Sequence, residues 1–573
     1  MGACIASGEL VDRSVSARPR RPRAVLYTFC ITVVIFAIQH VAVLAGMVRT
    51  PRGFAPALML REQDICQYFT WIALGQKHWL LPDYHAPWIT TPALLQPLFL
   101  VEARTVSLLG ANPLAVYYFF SLLLLWLAVW SFAFTLRTFC PTKAQRAAAV
   151  ALLVCCLPIP LFIPRFTTFG IFQYAYLTAD GLTRGGIMTS PTLSLGTAIA
   201  LLGMSSLARF LRGRERRDLL TFQAIVLVGA FFHPFEPILL ATVGAAAFLL
   251  HRDGESIGAA AMKGAAALGL VFAGMAPHLW LSYRTPWLRA VAQTGHSTST
   301  QSILWTPQVF GVPAMAVIYF LLLRWRRPLR SDAVLQFWFI AAPLLALVPQ
   351  MPLAVHLFDG YACCTTMLLV RYAVDDKLLT WLHARRPNLM RAGFATWVAA
   401  SACIVAAILV RIGVEARAPE PSPFPRTIIS YDERRVLAWI QSHAAENDLA
   451  MAPLETAYSI AALPMHAFAS HYNFSIDFGV QREEQERFTS NRMSGAEQTQ
   501  FLTKYGIRYL ILSPAQSRPD SVRSAIERAD FGGWRIFEFP GNRMVDYVLA
   551  RWSQSALPSP ALKAATSVAA ARP

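Results

Sequence analysis

Two carboxylates near the start of the chain, Glu62 and Asp64, are the first candidates for acid–base chemistry. They open the stretch Arg61–Thr91, which mixes acids and bases with tryptophan and tyrosine. On a helix over residues 61–76, Asp64 and Tyr68 share one face because they are four positions apart. A carboxylate held against a membrane surface can take a proton from a hydroxyl group. We therefore expect Asp64 to be a general base, with Glu62 as its rival.

Three further residues of this stretch are candidates for a pocket that contacts a donor or an acceptor. They are Tyr68, Asp83 and His85. Tryptophan and tyrosine residues, which suit the membrane interface, lie between them in the sequence. The alternative is that Asp83 and His85 only shape the loop. For Asp64 the alternative is an ordinary solvated carboxylate, since acidic residues in loops are usually exposed.

Four positive or titratable side chains at the predicted outer ends of apolar segments are candidates for binding phosphate: Arg165, Arg184, His233 and Arg284. Positive charge at outer ends runs against the usual inside bias, and guanidinium groups bind phosphate well. Arg184 lies before Gly185-Gly186, a turn that a ligand could approach closely.

A second pair, His233 and Glu236, flanks two prolines that break the apolar run 219–250. Irregular backbone at membrane depth usually lines a cavity, so we expect Glu236 to contact a substrate. The alternative is that His233 and Glu236 only satisfy each other. His356 and Asp359 lie in another apolar run, residues 352–370, which we expect to be a single span. A proton relay is one interpretation of these two residues, and pairing within the helix bundle is the one we favour.

The composition predicts the elements that must position these residues. Of 573 residues, 55% are hydrophobic and 15% are charged, whereas soluble proteins carry about 25% charged residues. The net charge of +18 comes from arginines that cluster at the ends of apolar runs, as membrane topology requires. The sequence therefore predicts a polytopic α-helical membrane protein in contact with the lipid bilayer, and no nucleic-acid partner.

The lengths of the apolar runs, oriented by their basic ends, predict about eleven spans within residues 25–411. Residues 1–24 are the basic cytoplasmic N-terminus, and 49–112 form the first external loop. Within that loop, residues 92–110 are expected to lie along the interface, although a crossing is the open alternative. The arginines between Arg209 and Arg217 are the strongest inside signal.

The remaining chain is predicted to form an extracytoplasmic α/β domain over residues 426–552, after a proline-rich linker at 412–425 and before a disordered tail at 553–573. Periodicity predicts strands at 449–452, 508–513, 534–539 and 545–551, and helices at 495–505 and 522–528.

This layout resembles the GT-C superfamily of polytopic glycosyltransferases, which includes protein mannosyltransferases, aminoarabinose transferases and uncharacterised bacterial members. The resemblance rests on the acidic loop Glu62-Gln-Asp64, the following spans, and the segment Tyr505-Gly-Ile-Arg-Tyr-Leu-Ile-Leu512. It implies a polyprenyl-phosphate-linked sugar as donor, an acceptor outside the cytoplasm, and Asp64 or Glu62 as the base. No cofactor is implied. No second acidic motif is evident, so we expect no metal ligand, although a divalent metal stays open.

The expected function is therefore transfer of a sugar from the lipid-linked donor to an extracytoplasmic acceptor in the cell envelope. We expect the chain to lie in a bacterial inner membrane, which it spans many times. The alternative is a transporter or flippase of lipid-linked substrates that uses the helix break at residues 233–237 and Asp359. A smaller third possibility is an assembly protein that acts through residues 426–552. The sequence contains no Walker A, GxSxG or HExxH motif, which removes support for nucleotide-driven transport and for serine or zinc hydrolysis.

Overall fold

The computed structural model describes six main ranges of the chain: 22–47, 63–154, 191–285, 330–348, 354–375 and 430–544. Within these ranges it omits residues 95, 253, 464, 471–474 and 476–477, and outside them it describes only 287, 317, 318, 388, 392, 395 and 399. The predictions for Glu62, Arg165, Arg184, the linker 412–425 and the tail 553–573 fall outside the described residues, as does the predicted strand 545–551.

Eleven described helices precede the C-terminal domain. They are α1 (Pro22–Met47), α2 (Gln63–Gly75), α3 (Pro97–Leu109), α4 (Pro113–Phe139), α5 (Lys143–Val154), α6 (Pro191–Gly213), α7 (Arg216–Phe232), α8 (Phe235–Leu250), α9 (Ile257–Arg284), α10 (Arg330–Ala346) and α11 (Tyr361–Asp375).

Three of the described helices are long and apolar enough to cross a membrane: Pro113–Phe139, Pro191–Gly213 and Ile257–Leu281. Three shorter apolar helical segments accompany them: Val25–Ala37, Phe235–Leu250 and Ala333–Ala346. The chain is a mostly helical membrane protein, and the count of about eleven spans stays a prediction.

The predicted break in the run 219–250 is present, because α7 ends at Phe232 and α8 begins at Phe235. Proline at 234 cannot donate the backbone hydrogen bond that a continuous helix needs there. The predicted interface segment contains α3, whose 13 residues extend about 20 Å and are too short to cross the ~30 Å hydrocarbon core as one helix.

One predicted span has a different local structure. The run 352–370 was expected to be a single span containing His356 and Asp359, but a 3₁₀ helix, Ala354–Phe358, and a turn at Asp359–Gly360 precede α11. Gly360 has a φ of +78°, in the left-handed region that favours glycine, so the chain turns here instead of continuing as a helix. His356 therefore lies in a 3₁₀ helix and Asp359 in a turn, and neither lies in a continuous α-helix.

The C-terminal domain is built on a five-stranded sheet with the order β2-β1-β3-β5-β4. Its elements are α12 (Tyr431–His443), β1 (Leu449–Met451), α13 (Leu454–Ala461), β2 (His466–Ala467), α14 (Phe478–Thr489), α15 (Gly495–Tyr505), β3 (Ile507–Leu512), a 3₁₀ helix (Asp520–Ser524), β4 (Ile526–Phe531) and β5 (Trp534–Glu538). The first three strands in this order are parallel, and the last two pairs are antiparallel.

The predicted helix at 522–528 is wrong beyond Ser524, where the 3₁₀ helix ends, whereas α15 matches its predicted bounds. Residues 526–531 form β4, which pairs antiparallel with β5. The reason is the turn at Gly532-Gly533, where both glycines have positive φ values and connect the two strands as a hairpin. The Gly-Gly pair before Trp534 is the sequence signal from which this hairpin could have been predicted.

The C-terminal domain packs on α2, on the loop between α2 and α3, and on one end of the helix bundle. α2 contacts α13, where the Thr70 hydroxyl donates to the Ala461 carbonyl at 2.6 Å. Trp287, just beyond α9, is fully buried beside the loop and the domain core, and its indole N–H donates to the Thr91 carbonyl at 2.6 Å. We call the end of the bundle that contacts the C-terminal domain the domain end.

Helix contacts show which termini lie at the domain end. The His278 imidazole donates from Nε2 to the Phe231 carbonyl at 2.8 Å, so the end of α7 lies level with a point six residues before the end of α9, about 9 Å along its axis. α6 runs antiparallel to α7, because Gly229 of α7 packs against Ile199, near the start of α6. The break between α7 and α8 and the first turns of α6 are therefore near the domain end.

Candidate functional site

Asp64, the predicted base, lies in the first turn of α2, the helix that packs between α3 and the domain helix α13. Its side chain lies outside the described residues. Tyr68, one turn further on, is half-buried and stacks on Phe99 of α3 with ring centroids 4.4 Å apart. The helical spacing that linked Asp64 and Tyr68 in the sequence is therefore present, and their roles stay predictions.

Asp83 and His85 lie in a buried loop that closes on itself. Leu81 and Ala93 exchange two backbone hydrogen bonds of 2.8 and 2.9 Å. The Asp83 backbone N–H donates to the Thr90 hydroxyl at 2.8 Å, and Asp83 Oδ1 accepts from the His85 backbone N–H at 2.9 Å. The Asp83 and His85 side chains are 2% and 0% exposed.

The same loop covers the edge of the domain sheet. The Ala467 N–H of β2 donates to the Tyr84 carbonyl at 2.9 Å, and the His466 Nδ1–H donates to the Ala86 carbonyl at 2.9 Å. His85 Nδ1 is 2.6 Å from the Ser470 hydroxyl. The predicted pocket residues Asp83 and His85 thus lie in the seam that joins loop and domain, and no described contact tests their predicted role toward a substrate.

Of the predicted phosphate-binding cations, Arg284 and His233 are described. Arg284 ends α9 at an exposed position, with its guanidinium 4.2 Å from the centroid of the Trp280 ring. His233 is buried in the bundle, in a cluster described next. The structure does not bring Arg284 and His233 into a described contact.

Four titratable residues meet at the break between α7 and α8. His233 and Glu236 come from the break itself, and His356 and Asp359 come from the 3₁₀ helix and turn before α11. We call these four residues the buried polar cluster. Three are nearly fully buried, and His356 is 22% exposed at its side chain.

The cluster is held together by short contacts. His233 Nδ1 lies 2.6 Å from Glu236 Oε2, and His356 Nδ1 lies 3.5 Å from Asp359 Oδ2. The two imidazole rings meet edge to face at 4.9 Å, and Phe235 stacks on His356 at 5.1 Å. His233 and Glu236 therefore do pair with each other, and the two pairs predicted separately form one group.

The first turns of α6 form the other wall of the cluster. A Cβ added at Gly196 would lie 2.5 Å from Glu236 Oε1 and 2.8 Å from Asp359 Oδ2, closer than side-chain atoms approach. Both carboxylate oxygens therefore face the same small space beside the α6 backbone. Neither oxygen has a hydrogen-bond partner in good geometry among the described residues.

The transporter alternative named the helix break and Asp359 together, but the sequence did not predict that His233 and Glu236 lie beside His356 and Asp359. Gly196 was not among the predicted site residues. One signal was available: His233-Pro-Phe-Glu236 and His356-Leu-Phe-Asp359 share the pattern His-x-Phe-acid. In each copy the histidine and the acid are three residues apart and interact.

No protein-family model and no curated protein matches the sequence. Solved structures that resemble the fold include the oligosaccharyltransferase AglB of Archaeoglobus fulgidus in complex with an inhibitory peptide and a dolichol-phosphate. The sequence identity is 14% and the TM-score is 0.44, and the match covers 85% of this chain and 69% of AglB. A second structure of the Archaeoglobus fulgidus oligosaccharyltransferase, tethered to an acceptor peptide, gives 12% identity, a TM-score of 0.43 and the same coverage.

Arabinofuranosyltransferase AftD from Mycobacteria is similar at 15% identity and a TM-score of 0.49. The match covers 92% of this chain but 42% of AftD, so the chain spans less than half of that enzyme. AglB and AftD are both GT-C glycosyltransferases, the superfamily that the layout of the sequence resembles.

Proposed function

We propose that this chain is an integral-membrane glycosyltransferase that transfers a sugar from a polyprenyl-phosphate-linked donor to an acceptor outside the cytoplasm. The observation that carries the proposal is that α2, with Asp64 in its first turn, and the buried polar cluster both lie toward the domain end of an apolar bundle. Buried ionisable groups in a membrane are costly, and they usually mark a functional site.

The chemistry suits a donor that is already in the membrane. The acceptor hydroxyl oxygen bonds to the anomeric carbon as the bond from that carbon to the phosphate oxygen breaks. The hydroxyl proton passes to a carboxylate, for which we propose Asp64 with Glu62 as the rival, and the lipid phosphate leaves with the bonding electrons. Arg165, Arg184, Arg284 and His233 are the proposed groups that stabilise the leaving phosphate.

The experiment compares purified full-length parent and Asp64→Asn protein in nanodiscs. Each is incubated with polyprenyl-phosphate-linked mannose, glucose or arabinose and a membrane extract as acceptor source, and released polyprenyl phosphate is measured by mass spectrometry. Loss of a general base should lower the release rate by about 100-fold or more. Glu62→Gln, assayed in parallel, distinguishes the two candidate bases.

Asp520→Asn is the matched control, because Asp520 is an exposed carboxylate of the C-terminal domain with a side chain that is 70% exposed. It should retain the parent rate. Full activity in both Asp64→Asn and Glu62→Gln would refute the assignment of the base, and absence of release from every donor would refute the proposed transferase.

The alternative is a transporter or flippase of lipid-linked substrates. It is favoured by one observation: Glu236 and Asp359 face each other at the break between α7 and α8, an arrangement suited to carrying a proton. Reconstituted protein that moves a labelled prenyl-phosphate lipid across vesicles in response to a pH gradient, without sugar transfer, would favour this alternative.

A further inference from the structure

We propose that the buried polar cluster binds a divalent transition-metal cation, with His233, His356 and Asp359 as its protein ligands. The expectation of no metal ligand, drawn from the sequence, is thereby revised. The cluster, with His233, is also part of the proposed function, but metal binding can be tested without glycosyl transfer. The site joins two distant parts of the chain.

The geometry is that of a site with three protein ligands. His233, His356 and Asp359 each offer one ligand atom, and these atoms all lie within 4.8 Å of one another. The 3.5 Å distance between His356 Nδ1 and Asp359 Oδ2 is close to the ~3.4 Å edge of a tetrahedron with metal–ligand bonds near 2.1 Å. A small inward shift of His233 would complete the set.

Glu236 lies where it can orient the His233 ring as a metal ligand. When Glu236 is ionised, its Oε2 accepts the Nδ1–H of His233 at 2.6 Å, which leaves the lone pair of His233 Nε2 for a cation. Histidine ligands of metals commonly donate their second ring nitrogen to a carboxylate in this way. An ionised Glu236 thereby holds His233 in the tautomer that a cation needs.

The atoms that remain without partners are those that a cation would bind. His356 Nδ1 and Asp359 Oδ2 are buried and have no hydrogen-bond partner in good geometry among the described residues. Ionised, Glu236 and Asp359 bring two negative charges into an apolar bundle, and a dication balances both. Two imidazoles and a carboxylate suit Zn²⁺, Co²⁺ or a similar cation better than Mg²⁺ or Ca²⁺, which take oxygen ligands.

The test uses the full-length chain with an affinity tag that contains no histidine. The protein is purified in detergent, treated with EDTA, desalted, loaded with Zn²⁺ and desalted again, and zinc is measured by mass spectrometry. The parent should retain about one ion per chain, and His356→Ala and Asp359→Asn should each lose it. Glu236→Gln should weaken zinc binding by about 10- to 100-fold.

His278→Ala is the matched control, because His278 lies near the cluster but binds the Phe231 carbonyl. It should retain the ion. Gly196→Ala keeps every ligand but places a methyl group against Glu236 and Asp359, so it should also lose zinc, whereas Gly269→Ala, where a Cβ meets no atom within 4 Å, should not.

A parent that retains no zinc, or ligand variants that retain as much as the parent, would overturn the proposal. Where a variant aggregates, the parent loaded with Co²⁺ decides: the intense visible absorption of four-coordinate cobalt supports the site, and the weak spectrum of hydrated cobalt refutes it. These measurements need no donor or acceptor, so a chain that binds zinc but transfers no sugar refutes only the proposed transferase.

Discussion

Burial, as well as intrinsic chemistry, determines the protonation states of side chains near the C-terminal domain. Asp83 is the clearest case. Burial raises the pKa of Asp83 from 3.8 to about 8, and the hydrogen bond from the His85 backbone N–H offsets this only in part. The same environment lowers the pKa of His466 from 6.5 to about 4, again through burial. Both groups are therefore held neutral over part of the range in which the unfolded chain carries their charges.

The two shifts predict opposite pH dependences of folding stability. Asp83 takes up a proton on folding between pH 4 and pH 8, so its contribution to stability is lost as the pH rises through that range. His466 releases a proton on folding, so its contribution is lost as the pH falls from 6.5 to 4. Of these two effects, only that of Asp83 operates between pH 6.5 and 8.

Asp83→Asn isolates the first effect, since its amide oxygen can still accept from His85. The free energy of unfolding of the variant minus that of the parent should increase with pH by up to about 1.4 kcal/mol per unit between pH 4 and 8. Denaturation of the purified full-length protein, followed by tryptophan fluorescence at several pH values, measures this slope. A difference that does not change with pH would contradict the buried, protonated state of Asp83.

At the scale of elements, the junction between α9 and the loop depends on Trp287. Its side chain is fully buried between the loop and the domain core and donates to the Thr91 carbonyl. Burying an indole contributes more than the single hydrogen bond, and truncating a buried tryptophan typically costs about 3–5 kcal/mol. The junction should therefore be sensitive to this one residue.

Trp287→Ala should loosen the C-terminal domain from the bundle, and proteases should then cleave the domain at least about 10-fold faster in nanodisc-embedded protein. Trp280→Ala is the control on the same helix, because Trp280 is 58% exposed and lies outside this junction. Equal cleavage rates for Trp287→Ala and the parent would show that the junction does not depend on Trp287.

The sequence predicts elements well where the signal is local. The break before Phe235, the bounds of α15 and the strands β1, β3 and β5 follow from proline, capping residues and short-range periodicity. The predicted helix at 522–528 fails because strand pairing with β5 outweighs the helical pattern of a few residues. The turn at Asp359-Gly360 was missed because apolar composition alone does not distinguish a helix from irregular buried backbone.

For the whole molecule, the arginine-rich turn between α6 and α7 and the C-terminal domain should lie on opposite sides of the membrane. α6 runs from the domain end toward this turn, and the positive-inside bias then puts the domain outside the cytoplasm. This orientation also determines on which side the proposed reaction occurs.

A thiol reagent that does not cross membranes tests the orientation in intact cells. Gln441→Cys, exposed on α12, should be labelled before lysis, whereas Arg216→Cys, exposed at the start of α7, should be labelled only after lysis. The parent, with its nine cysteines, gives the background. Labelling of Arg216→Cys in intact cells would reverse the topology and move the domain to the cytoplasmic side.

The sequence by itself determined the class of the molecule, the α/β character of its C-terminal part and the acids and histidines that merit attention. These features follow from composition and from patterns within a few residues. Only the tertiary structure decided that His233 and Glu236 meet His356 and Asp359, and that Asp83 and His85 lie in the seam with the domain. The physical reason is that such contacts join residues more than 100 positions apart. They depend on which helix faces pack together, and the apolar faces of membrane helices look alike in a sequence.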